Sequence, residues 1–252
     1  MRRLAIIDAA ASAAAGKALD IRQAGAITGR HTHLEGTSDL THAVGCDVCV
    51  MADDSGTRAG EALLRIRQLA GMLGDAPIVF AGPAHSDLIA LSALEGKLRR
   101  QRLIGSAPEA LASAVTAIVA MEAACSPADV MLTVLGTPPA GIVIPWSEAS
   151  IAGYALQQVL PQVTLARVDA RVKALWPPGP YALGTAAAQV VNAILSSSRR
   201  FFSVTTQLEG EYGARHCAGI VSARLGSRGL GHIHLPELTT RERVLVQTAL
   251  GA

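Results

Sequence analysis

Apolar residues in the first half of this chain fall into short runs that alternate with longer stretches of helical spacing. The short apolar runs predict β-strands at residues 4–8, 31–35, 47–51, 77–81 and 102–104. The stretches between them predict helices at residues 16–24, 59–73, 86–98 and 109–124. Strands that alternate with helices are typical of a parallel sheet, so the fold class predicted for this half is α/β.

The second half of the chain has a different pattern. Strands are predicted at residues 130–135, 142–144, 202–208 and 216–225, the last two paired antiparallel, and helices at 185–197 and 239–250. Thr239, followed three residues later by Glu242, is typical of a capping box at the start of the last helix. This α+β pattern predicts two lobes, residues 1–124 and residues 125–252.

Composition narrows the class of protein. Hydrophobic residues make up 50% of the 252 residues and charged residues 17%, and the net charge is only +2, which excludes a disordered chain. The near-neutral charge gives no general attraction to nucleic acid or to a membrane surface. No uninterrupted apolar run reaches the roughly 18 residues that a membrane span needs. We therefore expect no nucleic acid and no membrane as a partner.

The cysteines and the N-terminal residues bear on the cellular compartment. Four cysteines are too few for a disulfide scaffold. Cys46 and Cys49 lie three positions apart within residues 45–51, and if this run is extended as a buried strand, their side chains leave opposite faces. Arg2 and Arg3, followed by an alanine-rich run, resemble a secretory signal peptide, but Asp8 interrupts the apolar stretch and a helix follows directly. The sequence therefore predicts a cytoplasmic protein with reduced thiols, with a signal peptide as the alternative.

Two pairs of histidines raise the question of a metal site. His31 with His33, and His232 with His234, each place two imidazoles on one face of a predicted strand, which is compatible with metal binding. No acidic or thiol ligand lies at ligand spacing from either pair, so no metal site is predicted. The run of serines and arginines at 196–200 is compatible with a small anion site or with a solvated helix end.

Motifs spread along the chain resemble the malate/lactate dehydrogenase family. The most specific is Leu-Glu-Gly-Glu-Tyr-Gly at 208–213, and others lie at 16–21, 36–39, 145–153, 181–188, 225–230 and 235–240. Their shared order and spacing carry the resemblance, which covers almost the whole chain. The resemblance implies a truncated Rossmann-like parallel sheet lobe of the NAD-binding type and an α+β C-terminal lobe of the malate/lactate dehydrogenase type. It also implies a homo-oligomer, either a dimer or a tetramer.

The resemblance indicates where NAD would bind. NAD binding requires a glycine-rich turn between a first strand and a helix, and no G-x-G-x-x-G occurs near the N-terminus. Counting back from Gly16 places residues 4–8 on the family's second strand and Asp8 on the acid that holds the adenine ribose. Asp8 is thus the candidate cofactor-binding residue. An acid that only ends an apolar strand is the alternative.

The family's first strand and its glycine loop have no counterpart in this sequence. The short N-terminus is either the natural start or the result of a misplaced gene start. Because the first strand is normally central in the sheet, its absence leaves two neighbouring strands with unpaired edges. We expect the strands at 4–8 and 47–51 to pair directly, with a strand from another segment or subunit as the alternative.

Counting from the same motifs locates the family's catalytic residues. Pro138 falls on the histidine that serves as acid and base, and Leu111 and Ala114 fall on the aspartate and arginine of the neighbouring helix. None of these three side chains titrates. The remaining candidates are Arg58, two positions from the place of the carboxylate-binding arginine, and His85, which follows a strand whose end should face the pocket.

These replacements lead to two hypotheses. The first is a non-catalytic homologue, a pseudoenzyme that keeps the dehydrogenase scaffold as a binding or assembly partner or binds a small carboxylate. The alternative is an oxidoreductase, an NAD-dependent malate or lactate-type 2-hydroxy-acid dehydrogenase, with a remodelled site that uses Arg58, His85 and Asp8. Because loss of an acid–base group costs roughly 10²–10⁴ in rate, the sequence favours the first hypothesis.

Overall fold

The computed structural model describes residues 2–29, 31–52, 59–139 and 141–251. Its strands are β1 (Arg3–Ile7), β2 (His33–Thr37), β3 (Cys49–Met51), β4 (Ile78–Phe80), β5 (Leu103–Gly105), β6 (Val130–Met131), β7 (Leu135–Thr137), β8 (Gly141–Val143), β9 (Ser150–Ile151), β10 (Tyr154–Ala155), β11 (Phe201–Glu209), β12 (Arg215–Gly226) and β13 (Gly229–His234). Its helices are α1 (Ala11–Ile27), α2 (Ala59–Leu73), α3 (Ser86–Leu94), α4 (Ala107–Glu122), α5 (Leu156–Val159), α6 (Gln162–Val172), α7 (Pro180–Ser196) and α8 (Thr240–Leu250).

The chain divides into two compact units, of which the first consists of Met1–Cys46 and Arg67–Gly74. In this unit β1 runs parallel to β2 over the full length of both strands, and α1 connects them. The helix lies very close to the second strand: a Cβ at Gly36 would be 2.2 Å from the backbone carbonyl of Ala14. Only glycine permits this approach, so Gly36 fixes how the helix packs on the strand pair.

The second unit, Asp47–Ile66 with Asp75–Ala252, is built on one large sheet. Eight of the described strands form it in the order β3-β4-β5-β11-β12-β7-β8, with β13 beside β12. The first three are parallel, and Met51, Phe80 and Gly105 lie side by side at their carboxyl ends. An α/β arrangement of parallel strands, continued by antiparallel strands, confirms the fold class predicted from the sequence.

The parallel and antiparallel parts of the large sheet meet where β5 and β11 run antiparallel. Thr205 lies opposite Gly105, and a Cβ at Gly105 would be only 2.8 Å from the Thr205 Cβ atom, so glycine lets the two strands meet. The sheet therefore runs without a break from the first predicted lobe into the second. The division of the chain into lobes 1–124 and 125–252 stays a prediction.

The predicted pairing of the strand at 4–8 with the strand at 47–51 is wrong. Among the described strands, β1 forms a two-stranded sheet with β2, whereas β3 pairs with β4 in the large sheet. The physical reason is local, because α1 is long enough to serve as the crossover between two parallel neighbours in sequence. β1 and β3 thus each pair with the next strand in the chain, to which a helix connects them.

The core is aliphatic, in agreement with an aromatic content of 3%. One buried cluster joins side chains of the large sheet to α7 and α8, with Val204 and Ile194 among its members. A second surrounds α4 and α6 and includes Leu111 and Leu165. Among the helices of the described ranges, none has the length and apolar character to cross a membrane.

The predicted capping box at the start of α8 is confirmed. The N–H of Glu242 donates to Thr239 Oγ1 at 3.3 Å, and the Glu242 carboxylate accepts the N–H of Thr239 at 2.9 Å. The same carboxylate accepts the N–H of Ser147 at 3.1 Å and its hydroxyl at 2.6 Å. Partial burial works to raise the pKa of Glu242, but the hydrogen bonds from Ser147 and Thr239 outweigh it and lower the pKa. Glu242 thereby fastens α8 to the Trp-Ser motif at 146–147.

Several helix boundaries differ from the predicted ones, and local reasons account for two of them. α1 begins at Ala11, five residues before the predicted start, because the alanine-rich segment has the highest intrinsic helix propensity. The helix predicted over 86–98 ends at Leu94. A Cβ at Gly96 would lie 2.3 Å from the Ser92 carbonyl oxygen, so the chain turns away from the helix at a position that only glycine can occupy.

Candidate functional site

The carboxyl ends of β3, β4 and β5 form the edge at which parallel α/β sheets bind ligands. Because Met51, Phe80 and Gly105 lie side by side, the segments that follow β4 and β5 emerge at this edge together. The predicted candidate Arg58, which follows β3 in the sequence, lies outside the described residues. The described part of the edge is therefore formed by the turns after β4 and β5.

His85 lies in the turn after β4, immediately before α3. Its ring is half-buried and meets the ring of Phe80 edge-on, with a centroid distance of 5.7 Å and an interplanar angle of 75°. The backbone N–H of Gly82 lies 3.1 Å from His85 Nδ1. Since that N–H can only donate, Nδ1 is the acceptor, and the neutral ring carries its proton on Nε2. The structure thus places His85 at the carboxyl edge of the parallel strands, with Nδ1 as a hydrogen-bond acceptor.

The turn after β5 is held by Ser106, which is fully buried. Its N–H donates to the carbonyl oxygen of Phe80 at 2.9 Å, and its hydroxyl donates to the same oxygen at 3.4 Å. These bonds join the ends of β4 and β5 and direct the chain into α4. Pro108 in the first turn of α4 supplies no N–H.

The positions counted as the family's catalytic residues lie in apolar or structural surroundings. Pro138 lies in the turn between β7 and β8, and its bond to Pro139 is cis. Leu111 is 0% exposed, inside the apolar cluster around α4, and Ala114 is half-buried on the same helix. These three side chains carry no titratable group, and their correspondence to the family's catalytic positions stays a prediction.

Asp8, the predicted cofactor-binding residue, directly follows β1 in the first unit. Its N–H donates to the carbonyl oxygen of Thr37 at 3.0 Å, and its carboxylate accepts the N–H of Ala10 at 2.9 Å. This carboxylate therefore orders the turn into α1, and it remains exposed to solvent. The position at a strand's carboxyl end agrees with the prediction, and the role toward a ribose stays a prediction.

Glu109 is a buried ionisable residue that the sequence did not single out. It lies in the first turn of α4 and is only 3% exposed. Its carboxylate accepts a hydrogen bond from Arg200 Nη2 at 2.8 Å and one from the N–H of Ser203 at 3.0 Å. Burial raises the pKa of Glu109 to about 7, against the opposing effects of the Arg200 charge and the Ser203 hydrogen bond.

A short polar chain continues from Glu109 into the sheet. Ser203 Oγ accepts the N–H of Val134 at 3.1 Å and lies 3.2 Å from the hydroxyl of Thr133. The chain joins α4, the start of β11 and the segment before β7. The signal in the sequence was the glutamate itself, an acid in an otherwise apolar stretch of helix, but its partner Arg200 lies 91 residues away.

Three histidines of the two pairs contact aromatic or acidic side chains. His232 and His234 lie beside the ring of Phe201, at centroid distances of 6.2 and 5.3 Å. His33 Nε2 lies 3.9 Å from the carboxylate of Glu35. In the parts of the chain that the structure describes, no group of three His, Cys, Asp or Glu side chains is arranged to hold a metal ion.

Comparison with known proteins gives relatives over nearly the whole chain. A scan against protein-family models finds no match. The malate dehydrogenase of Thermomicrobium roseum is 28% identical over an alignment of 269 residues, gaps included, which covers 99% of this chain and 87% of that protein. The malate dehydrogenase of Cytophaga hutchinsonii is 26% identical, over 97% of this chain and 85% of that protein.

Solved structures share the fold at lower identity. The malate dehydrogenase of Salinibacter ruber superposes with a TM-score of 0.90 at 22% identity, over 99% of this chain and 86% of that one. A minor L-lactate dehydrogenase of Enterococcus mundtii gives a TM-score of 0.89 at 19% identity, over 99% and 87%. The chain is thus similar in sequence to malate dehydrogenases along almost its entire length, and it shares the fold of both malate and lactate dehydrogenases.

Proposed function

We propose that this chain is an oxidoreductase of the malate/lactate dehydrogenase type with a remodelled acid–base site, acting on a small 2-hydroxy or 2-oxo acid. The observation that carries the proposal is the similarity to curated malate dehydrogenases over 97–99% of the chain. The oriented imidazole of His85, at the edge where such sheets bind ligands, supports the same proposal.

An oxidoreductase of this type would use NAD, which supplies the hydride when it is bound. Asp8, an acid at the carboxyl end of β1, fits an adenine ribose. The phosphates need backbone N–H groups at a turn between strand and helix. In the described turns, the N–H groups of Ala10, Gly82 and Ser106 donate to protein acceptors instead. These turns do not fit a pyrophosphate as they stand, so we assign no step to the dinucleotide.

His85 is the group proposed to hydrogen-bond the reacting oxygen. Because Nδ1 accepts from Gly82, the ring is neutral, and its Nε2–H can donate a hydrogen bond to the oxo oxygen of a 2-oxo acid and stabilise the charge that develops there, while solvent supplies the proton of the forming hydroxyl. The edge-on contact with Phe80 keeps the ring in place on the other side. Arg58 is proposed to bind the substrate carboxylate, since an arginine fork matches the two oxygens of a carboxylate.

The test is the rate of NADH oxidation by the purified protein, with oxaloacetate and pyruvate as substrates. We expect turnover in the wild type and a loss of roughly 100-fold or more in His85→Asn, whose side-chain oxygen can still accept the Gly82 N–H. His232→Ala, which changes a histidine beside Phe201, is the matched control and should keep the wild-type rate. Turnover that survives His85→Asn would overturn the role of His85, and a wild type without turnover would overturn the oxidoreductase proposal.

A second candidate function is a non-catalytic homologue that binds a small carboxylate or a protein partner. The residues Pro138, Leu111 and Ala114 favour it, because they carry no titratable group at the positions counted as catalytic. Calorimetric titration with oxaloacetate and with NADH tests this candidate. Heat of binding without turnover supports it, and measurable turnover overturns it.

We further propose, from the family resemblance, a homo-oligomer, dimer or tetramer, in the cytoplasm. Sedimentation of the purified chain tests the oligomeric state, and a monomer at micromolar concentration would overturn that part. Fractionation of cells tests the location, and recovery outside the cytoplasm would overturn the other.

A further inference from the structure

A recess of about 650 Å³ lies at the edge of the large sheet opposite to His85. One wall is the connection from α3 to β5, and the other is formed by the end of β11 and the start of β12. Because β11 is antiparallel to β5, with Thr205 opposite Gly105, residues after Thr205 extend toward the amino end of β5. The recess is therefore separate from the carboxyl edge at which the proposed reaction occurs.

The walls of the recess carry an excess of positive charge. Arg100 is fixed between two carboxylates, with its Nε 3.2 Å from Glu209 and its Nη1 2.8 Å from Glu211. Within the described ranges, Lys97 and Arg215 form no ion pair, and both line the recess from opposite walls. Two cations that no carboxylate compensates attract an anion into a concave site.

The backbone at the rim has two non-glycine residues in conformations that side chains seldom adopt. Lys97 has a φ of +53° and His216 a φ of +59°, both in the left-handed region. On one wall, the tight turn that Gly96 permits after α3 brings Lys97 to the rim. On the other wall the guanidinium of Arg215 lies against Gly210, where a Cβ would be 3.7 Å from its Nε. Such conformations concentrate at ligand-binding sites.

We propose that this recess binds a small organic polyanion, with Lys97 and Arg215 as the groups that bind its phosphate or carboxylate oxygens. The volume lies within the roughly 300–1,000 Å³ of sites for small molecules. Leu94, Leu98 and Leu208 line the recess beside the cations, so a ligand with an uncharged body and anionic ends fits it best. Arg100, held by Glu209 and Glu211, shapes the wall between them.

The test is calorimetric titration of the full chain at low salt, with pyrophosphate as the phosphate probe and citrate as the carboxylate probe. We expect one of the two to bind at a single site, and which one binds identifies the anionic group. Lys97→Gln and Arg215→Gln should each weaken binding by about tenfold, the loss of one charge-assisted hydrogen bond.

Arg228→Gln is the matched control, because it removes the same charge from an exposed position in the turn between β12 and β13. It should bind the probe as the wild type does. Circular dichroism verifies that Lys97→Gln and Arg215→Gln keep the fold, which is expected because both side chains are exposed. The proposal is overturned if neither probe binds at millimolar concentration, or if the control loses as much affinity as the other two variants.

Discussion

The glutamate buried in the first turn of α4 makes the stability of this protein depend on pH. Glu109 is 3% exposed, whereas the side chain of its partner Arg200 is 62% exposed. Water screens the arginine but hardly reaches the carboxylate, so desolvation prevails and the pKa of Glu109 rises to about 7 from the ordinary 4.5. The folded state then binds this proton more tightly than the unfolded chain does. The stabilisation is complete below about pH 4.5 and is lost as the pH rises through 7.

The two pKa values give the size of the effect. A change from 4.5 to about 7 corresponds to about 3 kcal/mol in the free energy of unfolding between acid and alkaline pH. Glu109→Gln removes the titration and keeps an oxygen that can accept the Ser203 N–H. From pH 5 to pH 8, the free energy of unfolding of the wild type should therefore fall by about 3 kcal/mol more than that of Glu109→Gln.

Urea unfolding followed by circular dichroism at pH 5 and at pH 8 measures this difference. Glu122→Gln is the matched control, since Glu122 lies on the same helix but forms a surface ion pair with Arg167, 2.7 Å between the charged atoms. A surface pair contributes about 0–1 kcal/mol, so the control should change little at either pH. If Glu109→Gln and wild type show the same difference between the two pH values, burial does not govern the titration of Glu109, and the reasoning fails.

Three further predictions concern stability and site architecture. Gly36→Ala should destabilise the first unit by about 2 kcal/mol or more, because the new Cβ would lie 2.2 Å from the backbone of α1. Gly16→Ala is the control: Gly16 lies in α1 with open space around it, so this change should be neutral or stabilising. Thermal unfolding measures both. Leu111→Asp places an acid at the position counted as the family's aspartate. Because this site is 0% exposed and apolar, the change should lower the free energy of unfolding by at least about 4 kcal/mol. A variant that folds and is more active in the NADH assay would contradict this. Glu242→Gln should lower the free energy of unfolding by about 1–2 kcal/mol at pH 7, because it weakens the hydrogen bonds of this carboxylate. Since the pKa of Glu242 is lowered, this loss should shrink as the pH falls below 4.5, which urea titrations measure.

The local patterns of this sequence were sufficient to predict most elements. The strands before α4 and the capping box of α8 depend on residues close together in the chain, and the structure has them where periodicity and spacing place them. The missed helix α6 has the same kind of signal, with Leu165, Val168 and Val172 buried on one face. Local patterns thus contained more structure than was taken from them.

The long-range strand pairing and the electrostatics of the site could not be predicted from local sequence patterns. The junction of Gly105 with Thr205, and the ion pair of Glu109 with Arg200, join residues about a hundred positions apart. No spacing rule connects such residues, because their contact depends on how the whole sheet is ordered. The position of His85 after a strand could be predicted from the sequence, but its bond with Gly82 depends on a turn geometry that the sequence does not specify.

The small size of the first unit has a consequence for how this protein moves. Among the residues of this unit that the structure describes, the buried apolar side chains are few and half of them are alanine: Ala14, Ala18, Leu34, Ala43, Leu69 and Leu73. Little apolar area opposes the chain entropy in a unit of this size, so it should open at a lower free energy than the large sheet does. Amide protons of β1 and β2 should therefore exchange with deuterium long before those of β11 and β12. Local opening of β1 would also release Asp8 from its turn without unfolding the rest of the molecule.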